Sequence, residues 1–314
     1  MALNVIVTGA AGFIGSHTVD QLLAAGYSVW GVDNFRTGRE ENLAGAMRHP
    51  SFKLRELDVA EEKDFIDFAG EIDADVVIHL AALVSVPESI SNPALNERLN
   101  FQATRIVSEA ASRHKIARIV FASSAAVYGD PCISPIAEDT AVAPLSPYGS
   151  AKLASENLLF ERARTHAQTV RCQRYFNVYG PRQDPSSPYS GVISIFLKHL
   201  MCNTPPTIFG TGQQTRDFIS VFDVARANVI AATRQELASG VVNICSGRST
   251  SIIELWRLLS QHYTNPPLPS FAPLRTGDIY HSCGRPDAAL NALNFTASID
   301  LAAGLAQLSI LFAP

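Results

Sequence analysis

Short apolar runs alternate with stretches of helical spacing along most of this chain. Val5-Ile6-Val7 ends in Thr8 and gives way to a glycine-rich turn. Beyond it Val19, Leu22 and Leu23 recur at helical spacing until Gly26 stops the helix. The run 28–32 ends in Asp33, 53–57 in Asp58-Val59, and 76–80 opens into Ala81-Ala82. Two further runs, 119–122 and 170–175, deliver Ser123-Ser124 and Phe176-Asn177. Near-continuous apolar strands separated by helices predict an α/β fold with a doubly wound parallel sheet buried on both faces. A Pro-rich polar stretch at 180–188 and a second glycine loop at 210–214 mark a departure into a smaller α/β domain. The run 241–245 reads as a late strand rejoining the first sheet. The smaller domain is then discontinuous, with 1–176 and 217–246 expected in the first domain and 177–216 and 247–314 in the second.

Composition narrows the class. A chain of 314 residues can build one large or two modest domains. With 47% hydrophobic and 17% charged residues it reads as a well-buried enzyme rather than a disordered or coiled chain. The net charge of −4 and the lack of a basic run argue against nucleic acid as a partner. Met1 to Val7 leads straight into a strand, with no basic leader or cleavage site, and no apolar run approaches ~18–20 residues. Neither export nor membrane spanning is expected, and the location expected is cytoplasmic. Cys132, Cys172, Cys202, Cys245 and Cys283 are scattered, with no C-x-x-C pair. They are expected as free thiols rather than disulfides or zinc ligands, and no metal site is expected.

Candidate chemistry sits at the strand ends, where ligands collect in such sheets. Gly9-x-x-Gly12-x-x-Gly15 lies between a strand and a helix, where glycines let backbone approach a pyrophosphate and helix amides meet its charge. A merely tight turn is the other reading. Asp33, eighteen residues past Gly15, stands near the ~20 expected of an acid that binds a ribose and repels a 2′-phosphate. Arg36 and Arg39 soften that preference, since either could reach a phosphate. Small Ala81 and Ala82 would let a cofactor lie close, although ordinary packing also explains them, and His79 reads as a core histidine. In Ser146-Pro147-Tyr148-Gly149-Ser150-Ala151-Lys152, Pro147 suits a first helical turn, which sets Tyr148 and Lys152 four apart on one face. A nearby ammonium favours a phenolate over a phenol of pKa near ~10. A solvated helix that happens to carry Tyr and Lys is the alternative.

Taken in order, these pieces resemble the extended short-chain dehydrogenase/reductases and, within them, the nucleotide-sugar (UDP-hexose) 4-epimerases. The resemblance spans about residues 3–290. It is carried by the glycine turn, Asp33-Asn34, Asp58-Val59, His79-Leu80-Ala81-Ala82 and Val86-Pro87-Glu88-Ser89. Ser123-Ser124-Ala125-Ala126-Val127-Tyr128-Gly129, Tyr148-x-x-x-Lys152, Arg174-Tyr175-Phe176-Asn177, Arg216-Asp217-Phe218 and Arg275-Thr276-Gly277-Asp278 complete the set. Ala103 replaces a glycine common in relatives, and Val84 a lysine that some glucose-type epimerases use near the cofactor.

The resemblance implies a Rossmann-type NAD-binding domain and a smaller UDP-sugar-binding domain. It implies cofactor contacts from Gly9, Gly12, Phe13, Ile14, Gly15, Asp33, Asn34, Asp58, Val59, Leu80, Ala81, Ala82, Asn100, Ser123, Tyr148, Lys152, Tyr175 and Phe176. Substrate contacts are implied for Ser85, Ser124, Tyr148, Asn177, Gly191, Val192, Ile208, Phe209, Arg216, Phe218, Arg275, Asp278 and Ser282. Within these, Asn177, Arg216 and Arg275 would meet the diphosphate and Asp278 the uridine ribose. For Arg216 and Arg275 the bland reading is solvation or an ion pair with Asp217. The implied catalytic set is Ser124, Tyr148 and Lys152, oxidising the sugar C4 to a ketone and reducing it on the other face. Ser282, where glucose-restricted relatives carry tyrosine, implies room for an acetamido group and hence UDP-N-acetylglucosamine and UDP-N-acetylgalactosamine as substrates, with UDP-glucose and UDP-galactose also accepted. A homodimer is expected by the same resemblance. A 4,6-dehydratase fits less well, because Ala125-Ala126 cannot supply its extra acid and base. A UDP-glucuronate epimerase or decarboxylase, or a non-catalytic NAD-binding sensor or scaffold, are the remaining alternatives.

Overall fold

The structure, a computed structural model, describes residues 3–184, 191–274 and 279–311. Its centre is a seven-stranded, wholly parallel sheet. The first six strands are β1 (Asn4–Thr8), β2 (Ser28–Asp33), β3 (Phe52–Glu56), β4 (Val76–His79), β5 (Arg118–Ser124) and β6 (Thr169–Tyr175). A second lobe contributes β7 (Asn177–Tyr179), β8 (Thr207–Phe209), β9 (Thr215–Arg216) and β10 (Phe218–Ser220). The chain then returns as β11 (Gly240–Ile244) to the open side of β6, as the late apolar run predicts. Short strands β12 (Thr250–Ser251), β13 (Ser270–Ala272) and β14 (His281–Ser282) finish the second lobe's small sheets.

The order β11-β6-β5-β4-β1-β2-β3 reverses direction between β1 and β4, so the crevice for a ligand lies beyond their carboxyl ends. Side chains of a strand alternate between faces, and the central strands bury both. Val5 and Val7 enter one core while Ile6 enters the other, all fully buried. Leu22 of α1 (Phe13–Ala24) and Ala227 of α8 (Val221–Thr233) share the first core. Phe65 of α2 (Glu62–Gly70), Ile106 of α5 (Ala103–Arg113) and Leu159 of α6 (Pro147–His166) share the second. The edge strand β3 departs from continuous apolar burial: Phe52 is buried, but Lys53, Arg55 and Glu56 face water.

Between β4 and α5 the chain forms α3 (Val86–Ser91), α4 (Pro93–Asn96) and a π-helical stretch, Glu97–Gln102. The second lobe packs α7 (Val192–Met201), α9 (Ile252–Ser260) and α11 (Leu301–Leu311) around their own core, where Phe196 meets Trp256 edge to face at 5.1 Å. The intervening α10 (Asp287–Leu293) behaves differently. Its Ala289 and Leu293, with Phe295, lie in the core beside α1 and α8, so a helix from the stretch expected in the second lobe packs on the first. All five cysteines are free thiols; Cys172, Cys245 and Cys283 are buried, and Cys132 and Cys202 are exposed. Among the described residues no helix is long and apolar enough to cross a membrane.

Candidate active site

The glycine turn is built by close approach. Gly9 sits at φ +69°, and a Cβ there would fall 2.8 Å from the amide of Ala81. At Gly15 a Cβ would lie 1.9 Å from the Gly9 carbonyl oxygen, so α1 rests directly on the turn. Gly12 is the N-cap of α1 and offers no side-chain acceptor, and no acidic side chain stands in the first turn. The amide end of the helix therefore faces the crevice able to receive an anion. Thr8 pins the switch point: its Oγ1 accepts from the amides of Leu80 and Ala81, each at 3.2 Å, and is hydrogen-bonded to His79 Nδ1 at 2.8 Å. His79 is buried, and burial first, then the Lys152 charge, pushes its pKa down to about 3. It is a neutral core histidine.

At the end of β2, Asp33 accepts from the amides of Ala11 at 2.8 Å and Phe35 at 2.9 Å. Burial raises its pKa, and these amides pull against that shift. Asp58 accepts from the Ala60 amide at 2.9 Å and from Arg98 at 3.0 Å. The two arginines of the loop after Asp33 are engaged: Arg36 with Glu88, and Arg39 with Asp184 at 2.5 Å.

Helix α6 begins where the sequence predicts. Ser146 caps it, accepting from the Gly149 amide at 3.1 Å, and Pro147 occupies the first turn. Its start is held from outside: Ser89 accepts from the Tyr148 amide at 3.3 Å, and Asn96 donates to the Pro147 carbonyl at 3.0 Å. Ser124, at the end of β5, accepts from the Ala126 amide at 3.2 Å and caps a short 3-10 turn, Ala125–Tyr128. Lys152 places Nζ 5.8 Å from the Tyr148 ring centroid and 4.9 Å over Phe121. Ser123 points elsewhere: its hydroxyl donates to Glu156 at 2.5 Å, and Glu156 is clamped by Arg174 Nε at 2.9 Å and Nη2 at 2.7 Å.

Burial dominates the electrostatics of this set. It raises the Tyr148 pKa, against a lowering hydrogen bond from Ser124. It lowers Lys152 to about 7, against the charge of Glu156. Both groups give up water and each resists its charged form, so burial works against the phenolate that a nearby ammonium favours. A consequence for stability follows from linkage. Lys152 titrates near 10.5 when unfolded and near 7 when folded, so the cost of its buried charge is fully present below pH 7 and is relieved as pH rises toward 10.5. Lys152→Met is therefore expected to melt higher than the parent at pH 6, with the gain shrinking by pH 9. Thermal melts across that range check it; a pH-independent difference would contradict the buried-charge account.

A cleft of about 900 Å³ joins these parts. Gly9, Gly12, Phe13, Ile14, Gly15, Asp33, Asn34, Asp58, Val59, Leu80, Ala81, Ala82, Ser85, Ser123, Ser124, Tyr148, Lys152, Tyr175 and Phe176 all line it. Asn100 does not. Its amide donates to the Leu83 carbonyl at 3.0 Å and to Asn96 at 2.7 Å in a buried network behind the wall. Nor do Asn177, Gly191, Val192, Ile208, Phe209, Arg216, Phe218 and Ser282, which belong to β7 through α7, β8 to β10 and β14. Ile208 and Phe218 are buried in the second lobe's core. Ser282 is the register partner of Arg216 across β14 and β9. Asp217 accepts from the amides of Ser246, Gly247 and Gly284, which ties three loops together. Arg275 and Asp278 lie outside the described residues. The cleft wall also includes Thr37, Gly38, Asn42, Gln183 and Asp184, which no sequence motif marks.

The open cradle at Gly9, the uncapped amide end of α1 and the carboxylate of Asp33 together fit a dinucleotide. A sequence profile of the NAD dependent epimerase/dehydratase family matches residues 5–245. A UDP-glucose 4-epimerase of Mycolicibacterium smegmatis is 36% identical over 310 residues, covering 97% of each chain. The structure of the Thermotoga maritima UDP-glucose 4-epimerase with UDP-glucose superposes with a TM-score of 0.93 at 33% identity, covering 99% of this chain and 98% of that one. A UDP-N-acetylglucosamine 4-epimerase from Methanobrevibacter ruminantium, in complex with UDP-N-acetylmuramic acid, gives the same TM-score at 34% identity, with 99% and 98% coverage. With more than half of its length matched by the profile, the chain belongs to the NAD dependent epimerase/dehydratase family.

Proposed function

We propose that this protein interconverts UDP-sugars epimeric at C4. The observation that carries the reading is the convergence of Ser124, Tyr148 and Lys152 on the same cleft wall as the glycine turn and Asp33. Bound in that cleft, NAD supplies a hydride acceptor and donor for the sugar carbon. The protein's own groups handle the proton and the oxygen. Tyr148, as the phenolate, takes the proton from the 4-hydroxyl and, then a phenol, returns it, and Ser124 hydrogen-bonds the same oxygen. Lys152, one helical turn from Tyr148, balances the charge of the phenolate that must be present before the proton is taken. The two lobes divide the work, the one around the parallel sheet holding the dinucleotide and the second gripping the UDP group. Asn177 and Arg216, with Arg275, suit the diphosphate, since guanidinium and phosphate pair by charge-assisted bonds. A remote grip on UDP leaves the sugar able to turn. The dehydratase alternative is disfavoured because the turn after Ser124 opens with Ala125 and Ala126, which carry no acid or base. The test is to incubate purified protein with single UDP-hexoses, UDP-glucuronate among them: epimer without net NADH production supports the reading, and no product from any of them refutes it.

Acetylated sugars are the proposed preferred substrates. Support comes from Ser282, a small side chain whose register partner is Arg216, so the two share a sheet face. A bulky residue there would wall off the C2 side, at roughly 1–3 kcal/mol or more for an overpacked acetamido group. Ser282→Tyr is expected to lower kcat/KM selectively for UDP-N-acetylglucosamine and UDP-N-acetylgalactosamine by about tenfold or more while sparing the plain sugars. Equal losses on both would remove Ser282 from the sugar pocket.

A further inference from the structure

The loop after β2 is folded tightly over Asp33. Phe35 takes φ +54°, the Arg39 amide donates to the Ala11 carbonyl at 3.1 Å, and Asn42 Nδ2 donates to the same oxygen at 2.8 Å. A Cβ at Gly38 would fall 2.8 Å from Asp33 Oδ1. The positions of Arg36 and Arg39 are thereby set relative to Asp33, and both line the same cleft. Two guanidiniums beside the residue that faces a cofactor's adenosine ribose are the usual means of holding a 2′-phosphate. Here each is drawn toward a carboxylate from a different part of the chain. Arg36 bonds Glu88, whose amide is capped by Ser85 at 3.0 Å, and Arg39 Nη2 bonds Asp184 Oδ2 at 2.5 Å. Glu88 and Asp184 also line the cleft.

We propose that Glu88 and Asp184 are positioning residues for cofactor choice: by holding Arg36 and Arg39 they withhold from a 2′-phosphate the two cations of the loop that follows Asp33. Asp33 repels such a phosphate directly, while Glu88 and Asp184 neutralise the groups that would offset that repulsion. NAD, with a bare 2′-hydroxyl, requires neither arginine and is unaffected by their engagement.

The pairs are partly exposed, and exposed pairs are individually weak, so the expected effect of releasing both is about tenfold rather than thousandfold. Glu88→Gln and Asp184→Asn keep shape and remove charge. The purified parent, both single variants and the double variant are equilibrated with an equimolar mixture of NAD and NADP until the bound ratio is constant. Free nucleotide is then removed, the protein is denatured, and the released dinucleotides are quantified. The double variant should carry about tenfold more NADP relative to NAD than the parent, with intermediate single variants. Adding Arg36→Ala and Arg39→Ala to the double variant should return the ratio to the parental value. An unchanged ratio in the double variant, or a gain that survives loss of both arginines, would overturn the proposal. Matching thermal melts confirm that the comparison is between folded proteins.

Discussion

Tyr148→Phe should lower kcat by roughly 10²–10⁴-fold, the usual cost of losing a positioned general acid–base, with binding of UDP-sugar retained. The change removes one oxygen from a partly buried ring whose backbone amide is fixed independently by Ser89. Neither the start of α6 nor the cleft wall depends on that hydroxyl, so the loss should appear in the chemical step rather than in KM. Ser124→Ala gives a useful comparison. It keeps Tyr148 and removes only the hydroxyl that lowers the tyrosine's raised pKa. Steady-state kinetics on both variants, with UDP-sugar affinity measured separately, check the assignment. A Phe variant within a few-fold of the parent would mean that another group moves the proton.

Much of this site was legible because its chemistry is local. The glycine rhythm, Asp33 at the end of β2, Ser124 at the end of β5 and the Tyr148–Lys152 spacing each follow from a strand or helix period. A parallel sheet brings those strand ends together without further information. Partners chosen across the fold were not legible. Arg36 meets Glu88 from 52 residues away, and nothing in either segment names the other. Asn100 sits in a π-helical stretch that shifts the register of the preceding helix, which helical periodicity does not anticipate. Its amide accordingly braces Leu83 from behind instead of lining the cleft. The apolar pattern of α10 identifies a buried helix but not which of two cores receives it. Ser123 and Ser124 are neighbours in sequence, yet strand alternation sends their hydroxyls to opposite duties. Only the fold shows that Ser123 serves Glu156.

Glu156→Gln is expected to cost roughly 3–5 kcal/mol of stability, the usual cost of breaking a buried ion pair by removing one partner. Glu156 lies one helical turn beyond Lys152, and only 2% of its side chain is exposed. It takes two hydrogen bonds from Arg174, itself 6% exposed, and one from Ser123. Arg174 also donates to the Glu138 carbonyl at 3.2 Å and lies 4.7 Å from the Tyr128 ring centroid, so it cannot swing to water without dismantling those contacts. Glutamine keeps the volume but leaves the guanidinium buried without a counter-charge, and it takes from Lys152 the carboxylate that opposes its desolvation. Replacing both members of the pair, Glu156→Leu with Arg174→Met, removes both buried charges and should recover much of the loss. That rescue separates an uncompensated charge from a simple packing defect. Denaturant unfolding of the two single variants and the double variant reads it directly: a double variant as unstable as the sum of its singles would show that the pair is not coupled.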